Sequence, residues 1–163
     1  MEMTITKGIS GVIIKQLVRH SDDRGHLIEI YKERYFFASV PVVKQTNYTV
    51  TYPGVIKAFH GHDHQWDLWH VISGEAQVVL RDMRGQVKEL IGPCNRPGRD
   101  MVIYTGESNP YIIAIPPGVF HGYRVLGDKP VGLLYHVTQE YDEANPDELR
   151  LPAETFDWST RNR

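Results

Sequence analysis

The chain has 163 residues, 41% hydrophobic and 23% charged, which fits a single globular domain over residues 1–163. A net charge of −2 and a pI near 6.4 exclude a strongly basic surface, so we expect no nucleic-acid partner, although local cations could bind an anionic small molecule. The single cysteine, Cys94, excludes an internal disulfide, and we expect it to be an inert loop thiol. The first residues contain no apolar run long enough for a signal peptide or a membrane span. We therefore expect a cytoplasmic protein with no membrane partner.

Short runs rich in Val, Ile, Thr and Tyr recur between Gly, Pro and Asp, and helical periodicity is almost absent. This pattern predicts an all-β domain. The predicted strands are GVIIKQLV (11–18), HLIEIYK (26–32), VVKQTNYTVT (42–51), VIKAFHGH (55–62), LWHVISG (68–74), EAQVVLRDM (75–83), YIIAIP (111–116) and GLLYHVT (132–138). Strands at this spacing are typical of a sandwich, a jelly roll or a small barrel, and the polar tail is expected to contain one short helical turn.

The segment FHGHDHQWDLWH, residues 59–70, contains four histidines, two aspartates and two tryptophans. If it continues as a regular strand, His60, His62 and His64 point to the same side, because alternate residues of a strand share a face. Three imidazoles against an apolar core would be costly without hydrogen-bond partners, so we expect them to line a cavity. The alternative is that His62 and His64 are partly exposed histidines at a strand edge.

This segment resembles the first motif of metal-binding cupins, in which a Gly is followed by a His-x-His pair, a carboxylate and a second Gly. The matching residues are Gly54, His60, His62, Asp67 and Gly74, and PPGVFH places His121 at the histidine of the second cupin motif. The resemblance implies a cupin double-stranded β-helix, or jelly roll, which agrees with the all-β pattern. Three imidazoles and one carboxylate would suit Fe, Mn, Ni or Zn.

A second resemblance extends from about Ser21 to Trp158 and is to the dTDP-4-dehydrorhamnose 3,5-epimerase family of nucleotide-sugar cupins. The motifs that carry it occur in the family's order: SDDRGHLIEIY, QTNYTVTYPGVIKAFH, HQWDLWHVISGEAQVVLRDMR, IPPGVFHGYRVLGD, LLYHVTQEY and LRLPAETFDW. The resemblance implies an enzyme of activated-sugar biosynthesis that epimerises a nucleotide-diphospho-4-keto sugar. It implies neither a cofactor nor a metal.

The implied reaction needs three functions, because the protons next to a 4-keto group are acidic. These are a base on one face of the sugar, an acid on the other, and stabilisation of the enolate. The resemblance assigns His60 as the base, whose imidazole titrates near neutrality when unperturbed. It assigns Tyr135 as the group that returns a proton from the opposite face, and His121 as a residue that orients or polarises the sugar.

The same resemblance implies a set of substrate-binding residues, which are Arg24, Glu29, Gln45, Lys57, Gln65 and Tyr141. Arg24 and Lys57 would hold the diphosphate, Lys57 in place of an arginine of the family, because guanidinium and ammonium groups suit phosphate. The others would contact the nucleotide or the sugar. Subunits of the family pair through their sheets, so we expect a homodimer.

The chain departs from the family pattern near the base. Asp67 stands where the family has a lysine that helps to stabilise the enolate, and an ionised carboxylate would instead favour a cationic neighbour, either protonated His60 or a metal. The family's carboxylate partner of the base follows the closing Asp-Trp, and the sequence given ends at Arg163. We therefore expect Asp67 or Asp82 to orient His60.

Two alternatives to the epimerase stay open. One is a metal-dependent cupin, an oxygenase or an isomerase, with His60, His62, Asp67 and His121 as ligands. The other is a sugar-binding cupin that has lost catalysis, which the absence of the lysine would explain. The sequence leaves undecided which carbon is inverted, and which sugar and nucleobase are bound.

Overall fold

The structure of the chain is a computed structural model that describes residues 4–5, 8–36, 39–85 and 99–160. Cys94 and most of the segment IGPCNRPGRD (91–100), where the sequence predicts a break between strands, lie outside the described residues. The described part is built from strands, with bounds β1 Thr4–Ile5, β2 Ile13–Gln16, β3 Arg19–Asp22, β4 Gly25–Ile28, β5 Gln45–Thr51, β6 Ile56–Gly61, β7 Asp67–Ser73, β8 Glu75–Asp82, β9 Arg99–Gly106, β10 Tyr111–Ile115, β11 Val119–Leu126, β12 Val131–Val137 and β13 Leu149–Arg150. The all-β prediction is confirmed.

The strands form two larger antiparallel sheets and a small hairpin. The six-stranded sheet has the order β1, β2, β10, β7, β12, β5, and the five-stranded sheet the order β13, β6, β11, β8, β9. The hairpin consists of β3 and β4. Most neighbours in each large sheet, such as β10 and β7 or β11 and β8, are not consecutive in the chain, as in a jelly roll, where strands alternate between the two sheets.

The main hydrophobic core lies between the two large sheets. Trp69, Val71 and Leu133 of the six-stranded sheet are buried in one cluster with Val78 and Tyr123 of the five-stranded sheet. Because successive side chains of a strand point to opposite faces, these residues alternate with side chains on the outer faces. The core therefore packs the two sheets against each other and fixes the positions of β6, β7 and β12.

Further layers cover both outer faces. Leu68 and Ile112, on the outer face of the six-stranded sheet, cluster with Phe36. Phe59 and Trp158 belong to a cluster on the outer face of the five-stranded sheet. These covers explain why the central strands are buried on both faces. No helix among the described residues combines the length and apolar character needed to cross a membrane.

The strand prediction omits five strands, β1, β3, β9, β11 and β13. The residues of β11 lie within the motif IPPGVFHGYRVLGD, which the sequence analysis assigned to the family resemblance and not to a strand. In the structure, Gly122 in the middle of β11 lies against β6, and a Cβ atom added there would lie 2.4 Å from the Cβ of Ala58. The glycine thus permits the close strand pairing that positions the site.

The structure corrects the predicted ends of two strands and confirms the helical turn in the tail. β6 ends at Gly61, so His62 and His64 lie in the following turn, and the expectation that three histidines share one strand face is wrong. His62 is buried, whereas His64 is exposed. The predicted strand 26–32 ends at Ile28, because the chain beyond it packs as a cover over the six-stranded sheet. The predicted helical turn in the tail is the 3-10 helix Ala153–Thr155.

Candidate active site

A pocket of about 510 Å³ opens between the two sheets and is bordered by the segment 139–148. The five-stranded sheet contributes His60 from β6, and the six-stranded sheet contributes Asp67 from β7 and Tyr135 from β12. Residues that are distant in sequence therefore meet because the sheets face each other.

His60 and His121 lie directly opposite each other on the neighbouring strands β6 and β11. Their ring centroids are 4.2 Å apart and the ring planes are inclined at 72°. His60 lines the pocket, whereas His121 is 1% exposed and lies behind the pocket wall. His121 is thus placed to influence a bound sugar through His60 and its other neighbours.

Asp67 lies in a cluster with His60, His62 and His121 and is 1% exposed. Its Oδ1 accepts a hydrogen bond of 2.8 Å from Gln65 Nε2, and its Oδ2 accepts one of 3.1 Å from the indole N–H of Trp69. Oδ1 also lies 3.4 Å from His62 Nε2, and Oδ2 lies 3.5 Å from His121 Nε2. Burial raises the pKa of Asp67, but the adjacent imidazoles outweigh burial, so the pKa lies below its usual range and the carboxylate is ionised.

Backbone carbonyls determine which ring nitrogens of two histidines carry hydrogen. Nδ1 of His121 lies 3.0 Å from the carbonyl oxygen of Val119, and Nδ1 of His62 is hydrogen-bonded to the carbonyl oxygen of Asp147. Because a carbonyl only accepts, both Nδ1 atoms are donors. The Nε2 atoms of both rings then face Asp67, so an imidazole that also carries a proton on Nε2 interacts favourably with the carboxylate, and this interaction lowers the pKa of Asp67. Within the described residues, the buried Nε2 of His121 has no hydrogen-bond partner.

Asp147 is a residue of this site that the sequence analysis missed. Its carboxylate accepts hydrogen bonds of 2.8, 2.9 and 2.9 Å from the backbone N–H groups of Asp63, His64 and Gln65. Burial raises the pKa of Asp147, but the three N–H donors lower it by a larger amount, so the pKa lies below its usual value. Asp147 fixes the turn that carries His62 and Gln65. Because 84 residues separate it from Asp63, no local pattern could have indicated the contact.

The environment of His60 keeps its imidazole neutral. Burial, followed by the neighbouring His121, lowers the pKa of His60 to about 2, while Asp67 opposes that shift. At neutral pH the ring is therefore in its basic form. The Asp67 carboxylate is the anionic group of the cluster that would stabilise His60 after it takes up a proton.

The two carboxylates predicted to orient His60 lie in different places. Asp67 is inside the cluster, as described above. Asp82, at the end of β8, accepts a hydrogen bond of 2.8 Å from Arg84 Nε. The structure therefore supports Asp67 as the carboxylate of the site and gives Asp82 a structural role at the strand end.

Tyr135 lies on β12 between Asn47 on β5 and Trp69 on β7. It lines the same pocket as His60. Burial, and then the charge of Asp67, raises the pKa of Tyr135, so the phenol keeps its proton at neutral pH and can donate it. The predicted base and the predicted acid thus face one pocket from opposite sheets.

Three of the predicted substrate-binding residues, Gln45, Gln65 and Tyr141, line the pocket. Gln45 Nε2 donates a hydrogen bond of 2.8 Å to Asn47 Oδ1, and Gln45 Oε1 accepts one of 2.9 Å from the backbone N–H of Tyr141. Tyr141 is 68% exposed, so its ring lies at the rim, where aromatic stacking on a ligand is available. Asn47 lines the pocket as well, although sequence analysis did not select it.

Lys57 lies next to the pocket, outside its lining. Its Nζ donates a hydrogen bond of 2.9 Å to Thr49 Oγ1. Thr49 follows Asn47 by two residues on β5, so both side chains share the face of the strand that borders the pocket. The ammonium group thus extends the row of polar groups that begins inside the pocket.

Arg24 and Glu29 are not among the described residues that line the pocket. Arg24 lies in the turn of the β3–β4 hairpin, its side chain is 84% exposed, and it forms an ion pair of 2.5 Å with Asp22. Glu29 forms an ion pair with Lys32. The roles predicted for Arg24 and Glu29 stay predictions.

The pocket is rich in carboxylates. Its acidic lining residues are Asp67, Glu140, Asp142, Asp147 and Glu148. Among the described residues of the lining there is no lysine or arginine. The charge of this lining disfavours an anionic group inside the pocket.

Comparison with known proteins identifies the family. A sequence model of the family described as dTDP-4-dehydrorhamnose 3,5-epimerase matches residues 6–160. The chain is 42% identical over 159 residues to the spore coat polysaccharide biosynthesis protein SpsL of Bacillus subtilis, covering 95% of this chain and 99% of that protein. It is 32% identical over 145 residues to the probable low-salt glycan biosynthesis epimerase Agl13 of Haloferax volcanii, covering 88% of each.

The solved structure of dTDP-4-dehydrorhamnose 3,5-epimerase from Sulfolobus tokodaii is similar to this chain, with a TM-score of 0.81 and 25% identity, over 98% of this chain and 87% of that chain. The predicted family and its cupin jelly-roll fold are confirmed, and a metal-dependent oxygenase is not favoured by these relatives. On the match of residues 6–160 and the identity with two sugar-biosynthesis proteins, the chain belongs to the dTDP-4-dehydrorhamnose 3,5-epimerase family.

Proposed function

We propose that the protein epimerises a dTDP-linked 4-keto sugar at a carbon next to the ketone. The observation that carries the proposal is that His60 and Tyr135 line one pocket from opposite sheets. A sugar ring bound between them would present one face to the imidazole and the other to the phenol. This is the arrangement that inversion by removal and return of a proton requires.

In the proposed reaction, the neutral imidazole of His60 removes the proton from the carbon next to the ketone. The electrons of the C–H bond form a carbon–carbon double bond, and the carbonyl oxygen becomes an enolate. Tyr135 then donates its O–H proton to the opposite face of the carbon, and the ketone re-forms. The proton on His60 and the missing proton on Tyr135 equilibrate with solvent before the next turnover.

Asp67 and Asn47 complete the proposed chemistry. Asp67 stabilises the imidazolium form of His60, but its negative charge cannot stabilise the enolate. Asn47 lines the pocket, and its Oδ1 already accepts from Gln45, so its Nδ2 is the end of the amide that can donate to the ketone oxygen. Asn47 is therefore our candidate for the enolate donor in place of the family's lysine.

Lys57 is proposed to bind the diphosphate. The support is its hydrogen bond to Thr49, whose side chain lies on the same face of β5 as that of Asn47. A nucleotide attached to a sugar in the pocket would lie along this row. Tyr141 is hydrogen-bonded to Gln45, at the opposite end of this row from Lys57, so it is available to stack on the sugar.

We also propose a homodimer, in which the edge of the six-stranded sheet is covered. Its edge strand is β5, where Tyr48 is 57% and Val50 is 45% exposed. Soluble proteins usually protect such an edge, and pairing with a second copy would do so. Arg24 would then serve the pocket of the partner subunit. A cytoplasmic location stays a prediction from the sequence.

Solvent-deuterium exchange into a dTDP-4-keto-6-deoxy sugar, followed by NMR, tests the reaction. Exchange is expected with the parent protein and should fall by about 10²–10⁴-fold in His60→Asn. His64→Asn is the matched control, since it changes an exposed imidazole in the same segment and should keep the parent rate. Exchange that survives in His60→Asn would show that another group is the base. Tight nucleotide-sugar binding without exchange in the parent would establish the non-catalytic alternative.

The dimer is tested by light scattering after size exclusion, and the role of Arg24 by mixing two inactive variants. If Arg24 acts across the interface, Arg24→Ala and His60→Asn subunits should restore part of the activity when mixed. A monomer in solution would contradict the dimer, and an absence of complementation would return Arg24 to its own chain or to the surface.

A further inference from the structure

A second cavity, of about 580 Å³, lies on the outer face of the five-stranded sheet. Its floor is formed by β8, β9 and β11, and its wall by the segment 156–160 of the tail. Pockets that bind small molecules generally have volumes of about 300–1,000 Å³. Among the described residues, none lines both this cavity and the candidate active site, so the two cavities are separate.

The floor of this cavity has a line of three polar side chains. Gln77 on β8 lies directly opposite Tyr104 on β9 and directly opposite Arg124 on β11. Gln77 is two residues before Val79, which packs in the cluster on the outer face, so all three side chains lie on that face. Neighbouring strands are about 4.8 Å apart, so the line is about 10 Å long. It is long enough to face more than one ring of a ligand.

Contacts hold both the floor and the wall in place. Arg124 Nε donates a hydrogen bond of 2.5 Å to Gln77 Oε1, and Arg124 Nη2 donates one of 3.4 Å to Thr160 Oγ1. Trp158 is 8% exposed, and its ring centroid lies 5.5 Å from that of Phe59. The buried indole anchors the tail against the sheet. The cavity therefore lies between two surfaces with fixed positions.

The floor offers hydrogen-bond donors beside an aromatic ring. Gln77 is 6% exposed, and because its Oε1 accepts from Arg124, Nε2 is the donor end of the amide. The guanidinium of Arg124 has five N–H groups, of which the two contacts above use two. Tyr104 is 47% exposed and presents an apolar ring and a hydroxyl. A complementary ligand thus has oxygen acceptors next to an apolar face.

The charges of the cavity disfavour an ionic ligand. Arg124 contributes a positive charge and Asp157 a negative one. A phosphate would meet a like charge at Asp157, and an ammonium group would meet one at Arg124. Ser159 and Thr160 in the wall add hydroxyl groups, which both donate and accept hydrogen bonds. A pyranose sugar matches this lining, because it is neutral, its hydroxyls donate and accept, and its C–H groups form an apolar face.

We propose that this cavity binds a neutral saccharide of one or two pyranose rings. One ring stacks on Tyr104, and the hydroxyls accept hydrogen bonds from Gln77 and Arg124. Because the candidate active site lies on the inner side of the sheet, a saccharide bound here leaves that site open. The inference does not depend on the proposed reaction, since the cavity uses none of its residues.

The ¹⁵N-labelled protein is titrated with maltose, cellobiose and N,N′-diacetylchitobiose and followed by NMR. We expect saturable shifts of backbone amides in β8, β9 and β11. Tyr104→Ala should weaken binding by about 3- to 10-fold, through loss of the ring contact, and Arg124→Met by about tenfold, through loss of the charged donor. Tyr52→Ala is the matched control, because it removes a tyrosine that is 70% exposed outside the cavity and should keep the parent affinity. Circular dichroism checks that the variants fold.

Several outcomes would overturn the saccharide site. They are the absence of saturable shifts with all three disaccharides, an affinity that both Tyr104→Ala and Arg124→Met leave unchanged, or a loss of binding in Tyr52→Ala. Tighter binding of inorganic phosphate or of glycine than of any disaccharide would contradict the neutral ligand. Tyr104→Ala alone decides the assignment if Arg124→Met does not fold.

A competition with dTDP separates this cavity from the candidate active site. We expect the disaccharide to stay bound when dTDP is added, and Tyr104→Ala to keep the parent rate of deuterium exchange. Displacement by dTDP would place the saccharide in the other pocket and overturn the inference. Disaccharide binding at β8, β9 and β11 in a protein that shows no exchange would support the site and reject only the proposed reaction.

Discussion

The buried neutral His60 predicts a specific loss of stability in acid. Its pKa is lowered to about 2 in the folded protein, whereas an unfolded histidine titrates near 6.5. Between these values the unfolded chain binds a proton that the folded chain excludes. Stability therefore falls as the pH drops below about 6.5, and this contribution is absent above that pH.

The magnitude follows from the linkage relation. Well below pH 6.5 each pH unit costs about 1.4 kcal/mol for one such group, and because the unfolded histidine is half protonated at pH 6.5, acidification from pH 6.5 to pH 4.5 costs about 2 kcal/mol. This is a large share of the roughly 5–15 kcal/mol by which domains are stable. His70 and His136 also have pKa values lowered by burial, so they add loss of the same sign.

The variant His60→Asn isolates the contribution of one residue. The free energy of unfolding is measured by urea titration at several pH values between 7 and 4.5, with chelator present. The parent protein should lose about 2 kcal/mol more than His60→Asn over the interval from 6.5 to 4.5, because His70 and His136 contribute equally to both proteins. Equal pH slopes in the two proteins would show that His60 accepts a proton readily in the folded state, and would refute the reasoning.

Three further predictions concern single substitutions. Gly122→Ala places a Cβ atom 2.4 Å from the Ala58 Cβ, so it should destabilise the protein by about 1–3 kcal/mol in thermal unfolding; an unchanged melting temperature would contradict the tight β6–β11 pairing. Asp147→Asn weakens the acceptor of three backbone N–H groups and should cost about 1–3 kcal/mol in urea unfolding, whereas Asp142→Asn serves as the exposed control. Tyr135→Phe should keep deuterium exchange by His60 but reduce formation of the inverted sugar by about 10²-fold in NMR, and unimpaired inversion would exclude Tyr135 as the acid.

Part of this fold and site could be predicted from short-range patterns. Alternating Val, Ile, Thr and Tyr indicated strands, because a strand with one face in a core repeats every two residues. Ordered motifs identified the family and with it His60, Tyr135 and His121, which the structure brings to one cluster and one pocket. β11 was missed, and the close strand packing at its Gly122 depends on Ala58, a residue of another strand.

The sequence by itself determined the fold class, the family and the residue types available for proton transfer, since these follow from local periodicity and from motif order. Only the tertiary structure decided that β6 ends before His62, that Asp147 anchors the turn, and that Asp67 meets the imidazoles in a buried cluster. It also decided that Arg24 lies outside the pocket of its own chain. These features depend on which strands pair and which sheets face each other, and such contacts join residues far apart in the chain.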